Sequence, residues 1–295
     1  MVPPPSSLSP AAALAALHGA VALFGFAGLF GKWIDWDPAA IVLGRTSLAA
    51  LALAALLAWR HGGVPRPSAV MVGNGVLLAM HWVAFFAAIQ VSTVAIGLLG
   101  FASFPLFVPV LERLLLAVPL RRSAWIEAAL VACGLLLLVP EFRWESEHVR
   151  GLAWGVLSGF TFALMTVRTR GARARQRPET MALWQNVVAA LCVAPLVWWQ
   201  GGAGAAVDLT SLLLVAVLAV VCTALAHTLY IASLTQVTAA TASVVAALEP
   251  VYGIALAWWL LHEMPGARTL GGATLLVAAA IVASRRSRDG ATLLP

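Results

Sequence analysis

The sequence predicts an all-α membrane protein of ten transmembrane helices, built as two inverted five-helix repeats. Three observations carry this. Hydrophobic residues make up 62% of the 295 positions and charged residues only 10%, against about a quarter charged in a typical soluble domain. The apolar residues fall into ten runs, each close to the ~20 residues a helix needs to cross a bilayer. The second half of the chain also echoes the first in one register.

The ten runs cover 11–31, 39–59, 68–89, 92–114, 122–140, 150–168, 180–199, 208–233, 237–261 and 266–284. Their connections are short and rich in Pro, Gly and charge, as in Trp36-Asp37-Pro38 and Pro65-Arg66-Pro67. Residues 1–295 therefore read as a single transmembrane domain, with 11–140 the first five-helix repeat and 150–285 the second. The stretch Met1 to Pro10 is Pro/Ser-rich and lacks the basic n-region of a signal peptide. The first run is accordingly expected to be a retained span.

Orientation follows from the basic residues. With the N-terminus in the cytoplasm, thirteen arginines fall inside: Arg60, Arg66, Arg113, Arg121, Arg122, Arg168, Arg170, Arg173, Arg175, Arg177, Arg285, Arg286 and Arg288. Four basic residues fall outside: Lys32, Arg143, Arg150 and Arg268. That asymmetry predicts both termini in the cytoplasm. Lys32 is the only lysine, and the heavy use of Ala and Arg hints at a GC-rich bacterial genome, so the expected location is the bacterial inner membrane. The net charge of +6 sits between apolar runs, without interleaved aromatics, so it is not a nucleic-acid signature.

The repeat shows at an offset of 146, where His81 matches His227, Gln90 matches Gln236 and Pro119 matches Pro265. The register slips by one residue at Pro105 and Pro250. Five spans per half is an odd number, so the halves enter the membrane in opposite senses. Inverted repeats are a common plan of secondary carriers, which place the substrate site at the midplane and alternate its access.

Ionisable and polar groups inside the spans mark candidate positions for that site, because each is costly in hydrocarbon. Glu249, at the middle of the ninth run and followed by Pro250, is the first. Tyr252 lies one turn on. His81 and His227 sit inside apolar runs. Asn74 shares a helix face with His81, and Tyr230 shares one with His227. Thr161 belongs to a polar-aromatic stripe Trp154-Ser158-Thr161-Met165, and Trp154 and Trp82 are placed to flank a ligand ring. These nine residues form the expected substrate site. Arg45, with Gln185 as its repeat counterpart, is expected to snorkel outward or to pair with an acid in a structural role. Gly151, Gly155 and Gly159 form a smooth face for close helix packing. Cys133, Cys192 and Cys222 read as small buried residues, and no spacing suggests a metal site or a cofactor.

Several of these stretches carry a resemblance. Leu248-Glu249-Pro250-Val251-Tyr252, Leu260-Leu261-His262-Glu263, Gly271-Gly272, Arg45, His81-Trp82 to Gln90-Val91-Ser92, and Phe104-Pro105 resemble the EamA type of the drug/metabolite transporter superfamily. The resemblance covers nearly the whole chain. It implies a central cavity lined chiefly by helices 1, 3, 4, 6, 8 and 9, and substrates such as amino acids, other small metabolites or drugs. The family often ends its fourth helix with a Gly-Glu pair; here Ala117 takes the slot matched to Glu263.

The reading is therefore a secondary transporter, taken as an exporter, of small amphiphilic metabolites, with protons as a candidate coupling ion and membrane lipid as its surroundings. Its oligomeric state stays open. No phosphate-binding Gly-Lys-Ser/Thr loop is present to use ATP. The alternatives are a multidrug or quaternary-amine carrier, an intramembrane enzyme acting on a lipid, and a channel.

Overall fold

Caps written into the sequence start the helices of the computed structural model, which describes residues 8–117, 119, 123–137, 143, 145–172, 177–202, 207–234, 236–237, 242, 245–246 and 248–291. Ser9 accepts a hydrogen bond from the Ala12 amide and Pro10 opens α1 (Pro10–Trp33). Pro38, whose missing N–H costs nothing at a first turn, opens α2 (Pro38–His61), and Gly62 closes it in the left-handed conformation. Ser68 and Thr93 cap α3 (Ala69–Val91) and α4 (Val94–Phe101) in the same way as Ser9. A Ser-Phe-Pro step then breaks the fourth span, and α5 (Phe104–Leu116) restarts on Pro105. The chain continues through α6 (Ser123–Leu137), α7 (Glu147–Ala172) and α8 (Pro178–Trp199). Asp208 caps α9 (Leu209–Ala219), its carboxyl held below the ordinary range by the Ser211 amide at 2.6 Å.

The eighth span does not stay α-helical. Residues Val220–Leu225 form a π-helical segment before α10 (Ala226–Ser233). The last two helices are α11 (Glu249–Leu261) and α12 (Ala267–Ala291).

All regular structure among the described residues is helical. Among the described residues seven helices are long and apolar enough to cross a membrane: 10–33, 38–61, 69–91, 94–116, 147–169, 178–199 and 209–233, the fourth and seventh being the interrupted ones. The other three expected spans are represented by α6, α11 and α12, the last a 25-residue helix whose apolar stretch is the shorter Ala267–Ala279. The fifth, expected over 122–140, appears as α6, with 122 and 138–140 outside the described residues. The ninth, expected to run unbroken over 237–261, instead restarts at Glu249 because Pro250 has no amide to continue a preceding helix. Much of 238–247 lies outside the described residues, as do Arg121, Arg122, Arg173 and Arg175 of the charge argument.

Packing fixes where the site falls. α3 lies against α7, α2 against α8, and α6 against α12, while α1 runs along α10 and α11. Small residues permit the closest approaches. A methyl group at Gly155 would come within 2.8 Å of the Gly100 backbone, and one at Gly25 within 2.9 Å of the Glu249 carbonyl. The glycine face predicted on the sixth span thus seats α7 on α4. Cys222 is buried as expected, but Cys133 and Cys192 are exposed on the outside of the bundle. A small side chain on an apolar run suits a lipid-facing surface as well as a core.

Candidate functional site

Where the interrupted spans meet α1, α2, α3 and α7, the bundle leaves a small cavity. Phe24, Ala27, Arg45, Leu78, His81, Trp82, Phe85, Phe101, Phe162, Met165, His227 and Glu249 line it. The expected spans one, three, four, six, eight and nine all contribute, and span two adds Arg45. The cavity measures about 30 Å³, room for about two waters.

The walls are aromatic. His81 lies 5.4 Å from Phe101 and 5.2 Å from Phe162, ring to ring, and Phe101 and Phe162 meet edge to face. The His81 ring is fixed from behind: its Nδ1 lies 2.8 Å from Ser158 Oγ and 3.0 Å from the Ser158 carbonyl. This is a serine–histidine pair, the kind of arrangement an intramembrane hydrolase needs. Yet Ser158 is fully buried and does not line the cavity, and its hydroxyl orients the ring.

His227 enters from the other side, and Trp82 stands between the two histidines, edge to face with His227 at 5.9 Å. His227 Nδ1 is buried with no hydrogen-bond partner.

Arg45 does not snorkel. It is 1% exposed, and its guanidinium lies 3.9 Å over the Trp82 ring, a desolvated cation–π contact. Its Nε donates to Thr223 Oγ1 at 3.0 Å and its Nη2 to the Cys222 carbonyl at 3.5 Å. The π-helical segment explains this hold: widening the helix offsets its hydrogen-bond ladder and turns a carbonyl outward. Thr223 completes the link by donating to the Leu218 carbonyl at 2.7 Å. Gln185, its expected repeat counterpart, is buried with neither amide atom hydrogen-bonded.

Glu249 is 3% exposed, at the first turn of α11 rather than in mid-helix. The N-terminal end of the helix dipole favours a carboxylate there. Glu249 and Arg45 line one cavity without an ion pair within 4 Å.

The structure thus brings Glu249, His81, His227 and Trp82 together and leaves five expected residues outside. Tyr230 packs behind the wall, 5.6 Å from Phe162 and 5.9 Å from Phe24. Tyr252 is half-buried beside Gly25. Thr161 returns its hydroxyl to the Leu157 and Ser158 carbonyls. Trp154 is 40% exposed, sharing an outward face with Leu157 because the glycine face of α7 turns to α4. Asn74 ties α3 to α7 away from the cavity, donating to Thr169 Oγ1 at 2.8 Å and accepting from Arg168 Nε at 3.0 Å. Phe24, Ala27, Arg45, Leu78, Phe85, Phe101, Phe162 and Met165 line the cavity and are missing from the expected set. The absence of any acid within a turn of Arg45 in sequence was the signal that its partner had to come from another helix.

One family model, the EamA-like transporter family, matches the chain twice, over residues 11–139 and 149–285. The pseudopaline exporter CntI of Pseudomonas aeruginosa (strain UCBPP-PA14) is 27% identical over 257 residues, covering 85% of this chain and 88% of that one. An uncharacterized transporter, YwfM of Bacillus subtilis (strain 168), is 25% identical over 226 residues, 74% of this chain and 73% of that one. A solved crystal structure with 18% sequence identity superposes with a TM-score of 0.72, covering 95% of this chain and 99% of that one, a likeness of fold.

Proposed function

The chain belongs to the EamA-like transporter family, and on that premise we propose that it is a secondary carrier exporting small metabolites, such as amino acids or amphiphilic compounds, across the bacterial inner membrane. The single observation that carries this is the buried cavity, where Arg45, His81, His227 and Glu249 converge among aromatic rings. Such groups are rare inside membranes and mark substrate or ion pathways.

Its size supports alternating access. About 30 Å³ is far below the roughly 300–1,000 Å³ of a pocket that encloses a small ligand. The helices must part to admit cargo, and polar contacts stand at both ends to be broken in turn. On the side assigned as outer, Lys32 Nζ donates to the Ser92 carbonyl at 2.7 Å, Gln90 Nε2 to the Trp36 carbonyl at 2.8 Å, and the Val94 amide to Glu263 Oε2 at 3.1 Å. On the inner side stand the Asn74–Thr169–Arg168 cluster and Trp184 Nε1, which donates to the Pro65 carbonyl at 2.7 Å. The double match of one family model supports two related halves. The odd span number of each, with the arginine asymmetry, supports inversion and two cytoplasmic termini. Export follows the exporter among the relatives. In this reading Glu249, His81, His227 and Trp82 meet the cargo, and a proton on Glu249 is the candidate coupling ion.

Inverted vesicles from an expressing strain test this. Uptake of a mixed set of labelled amino acids should saturate and show counterflow. Linear flux without counterflow would indicate a channel, and turnover of vesicle lipid an enzyme. A C-terminal reporter active only in the periplasm would refute the orientation.

A further inference from the structure

The guanidinium of Arg45 is only partly used. Its Nε and one Nη2 hydrogen go to the π-helical segment, while Nη1 is buried with no partner. Both Nη1 hydrogens therefore remain to be met. An arginine stays ionised in a protein, and leaving charged donors unmet in the interior is costly.

A second orphan faces the same space. His227 Nδ1 also lacks a partner. It sits one helical turn after Thr223, the residue that grips Arg45, so both side chains are held by the same stretch of the eighth span. Trp82 spaces them: the guanidinium carbon lies 3.9 Å from its ring centroid and the His227 ring meets the same indole edge to face. The nearest acid lining the cavity, Glu249, does not reach the guanidinium within 4 Å.

We infer that Arg45 and His227 form an anion-binding corner of the cavity, and that the exported compound is recognised there by a carboxylate. The planar fork of a guanidinium matches a planar carboxylate in geometry and charge. His227 adds a donor in the tautomer that carries its hydrogen on Nδ1. The aromatic wall of Phe85, Phe101 and Phe162 then takes the apolar part of the same molecule. Because Arg45 grips the Cys222 carbonyl and Thr223, a carboxylate at Nη1 also bears on the π-helical segment.

This inference rests on the carrier reading, and the test separates the two. Compounds released by cells overproducing the wild-type protein are compared with those released by the empty host. The strongest exported compound and its carboxamide are then loaded against inverted vesicles. The expected result is an export profile of carboxylate-bearing compounds and a loss of roughly tenfold or more in transport for the carboxamide. Arg45→Lys, which keeps charge without the fork, and His227→Phe, which keeps the packing on Trp82, should each reduce carboxylate transport while retaining the wild-type yield and melting temperature. If wild-type cells release nothing beyond the empty host, the carrier reading fails and takes this inference with it. If export occurs but the carboxamide moves as well as the acid, or the exported compounds are cations or phosphate esters without a carboxylate, only the corner fails.

Discussion

Ala117 and His262 are a structural pair: each ends a 13-residue helix that opens with a proline at its second position, and each does so in the left-handed conformation, at φ 54° and 57°. In both, the capping amide bonds the carbonyl five residues back, Glu112 for Ala117 and Ala257 for His262. They lie 145 positions apart, the register that also joins Pro105 to Pro250. Matching breaks at Phe104 and Glu249 thus give each half a half-helix ending in the same turn. By this shared turn Ala117 corresponds to His262, one position before Glu263, the residue it meets in the 146 register. The pairing also shows that the carboxylate is one-sided, since Phe104 stands where the second half has Glu249.

The left-handed turn costs a residue with a Cβ about 1 kcal/mol relative to glycine. Both side chains are exposed, so little packing is lost on truncation. Ala117→Gly and His262→Gly should each raise the thermal midpoint of the detergent-purified protein. A lower midpoint in both would mean that the turns are not the caps described.

Much of this architecture was legible in the sequence, and the residues that were not share one cause. Span positions followed from apolar length, because lipid leaves a helix few alternatives. The convergence of His81, His227 and Glu249 was legible because each stands out in an apolar run. Asn74, Thr161 and Trp154 were misplaced because helical periodicity identifies a face without saying what the face meets. The glycines of α7 turn toward α4 and send Trp154 outward, while Asn74 meets Arg168, a residue counted on sequence only as part of the charge bias. Arg45 was misread for the converse reason. Its hold depends on a π-helical widening at Val220–Leu225, and a local change of helix type in an unbroken apolar run leaves no periodic trace.

Gly155 and Gly100 set the approach of α7 to α4, backbone against backbone. No side chain there is free to yield. Gly155→Ala should therefore lower both yield and transport several-fold. Gly19→Ala, where a methyl group meets nothing within 4 Å, should behave as wild type and gain slightly from helix propensity. Equal behaviour of the two variants in a thermal-shift assay would show that the contact does not constrain the bundle.

Lys32 and Glu263 hold the α3–α4 connection from two sides, through the Ser92 carbonyl and the Val94 amide. Removing either charge-assisted bond should favour opening on that side. In a background lacking Cys133, Cys192 and Cys222, a cysteine replacing the cavity residue Ala27 would report access. Lys32→Met and Glu263→Ala should each speed its labelling by a membrane-impermeant maleimide added from the periplasm. The expected gain is on the order of fivefold or more, as for a bond worth about 1–2 kcal/mol. Unchanged labelling would mean that these contacts do not close the path.

Glu249 is the residue on which proton coupling turns. It is buried at the start of α11, beside a proline that offers no amide, in a cavity whose arginine does not pair with it directly. The helix dipole favours its charge, but a carboxylate in hydrocarbon still costs several kcal/mol unless water, a proton or cargo meets it. Its protonation state should therefore change as the cavity opens and fills. Glu249→Gln keeps the shape and removes the titration. Yield and melting temperature should stay near wild type, while the transport rate loses its dependence on pH between about 5 and 8. Glu249→Ala should be worse in rate and stability, because it also empties volume in the aromatic-walled cavity. Transport by Glu249→Gln with the wild-type rate and the wild-type pH profile would remove the proton from the mechanism and leave Glu249 as a packing residue of the cavity floor.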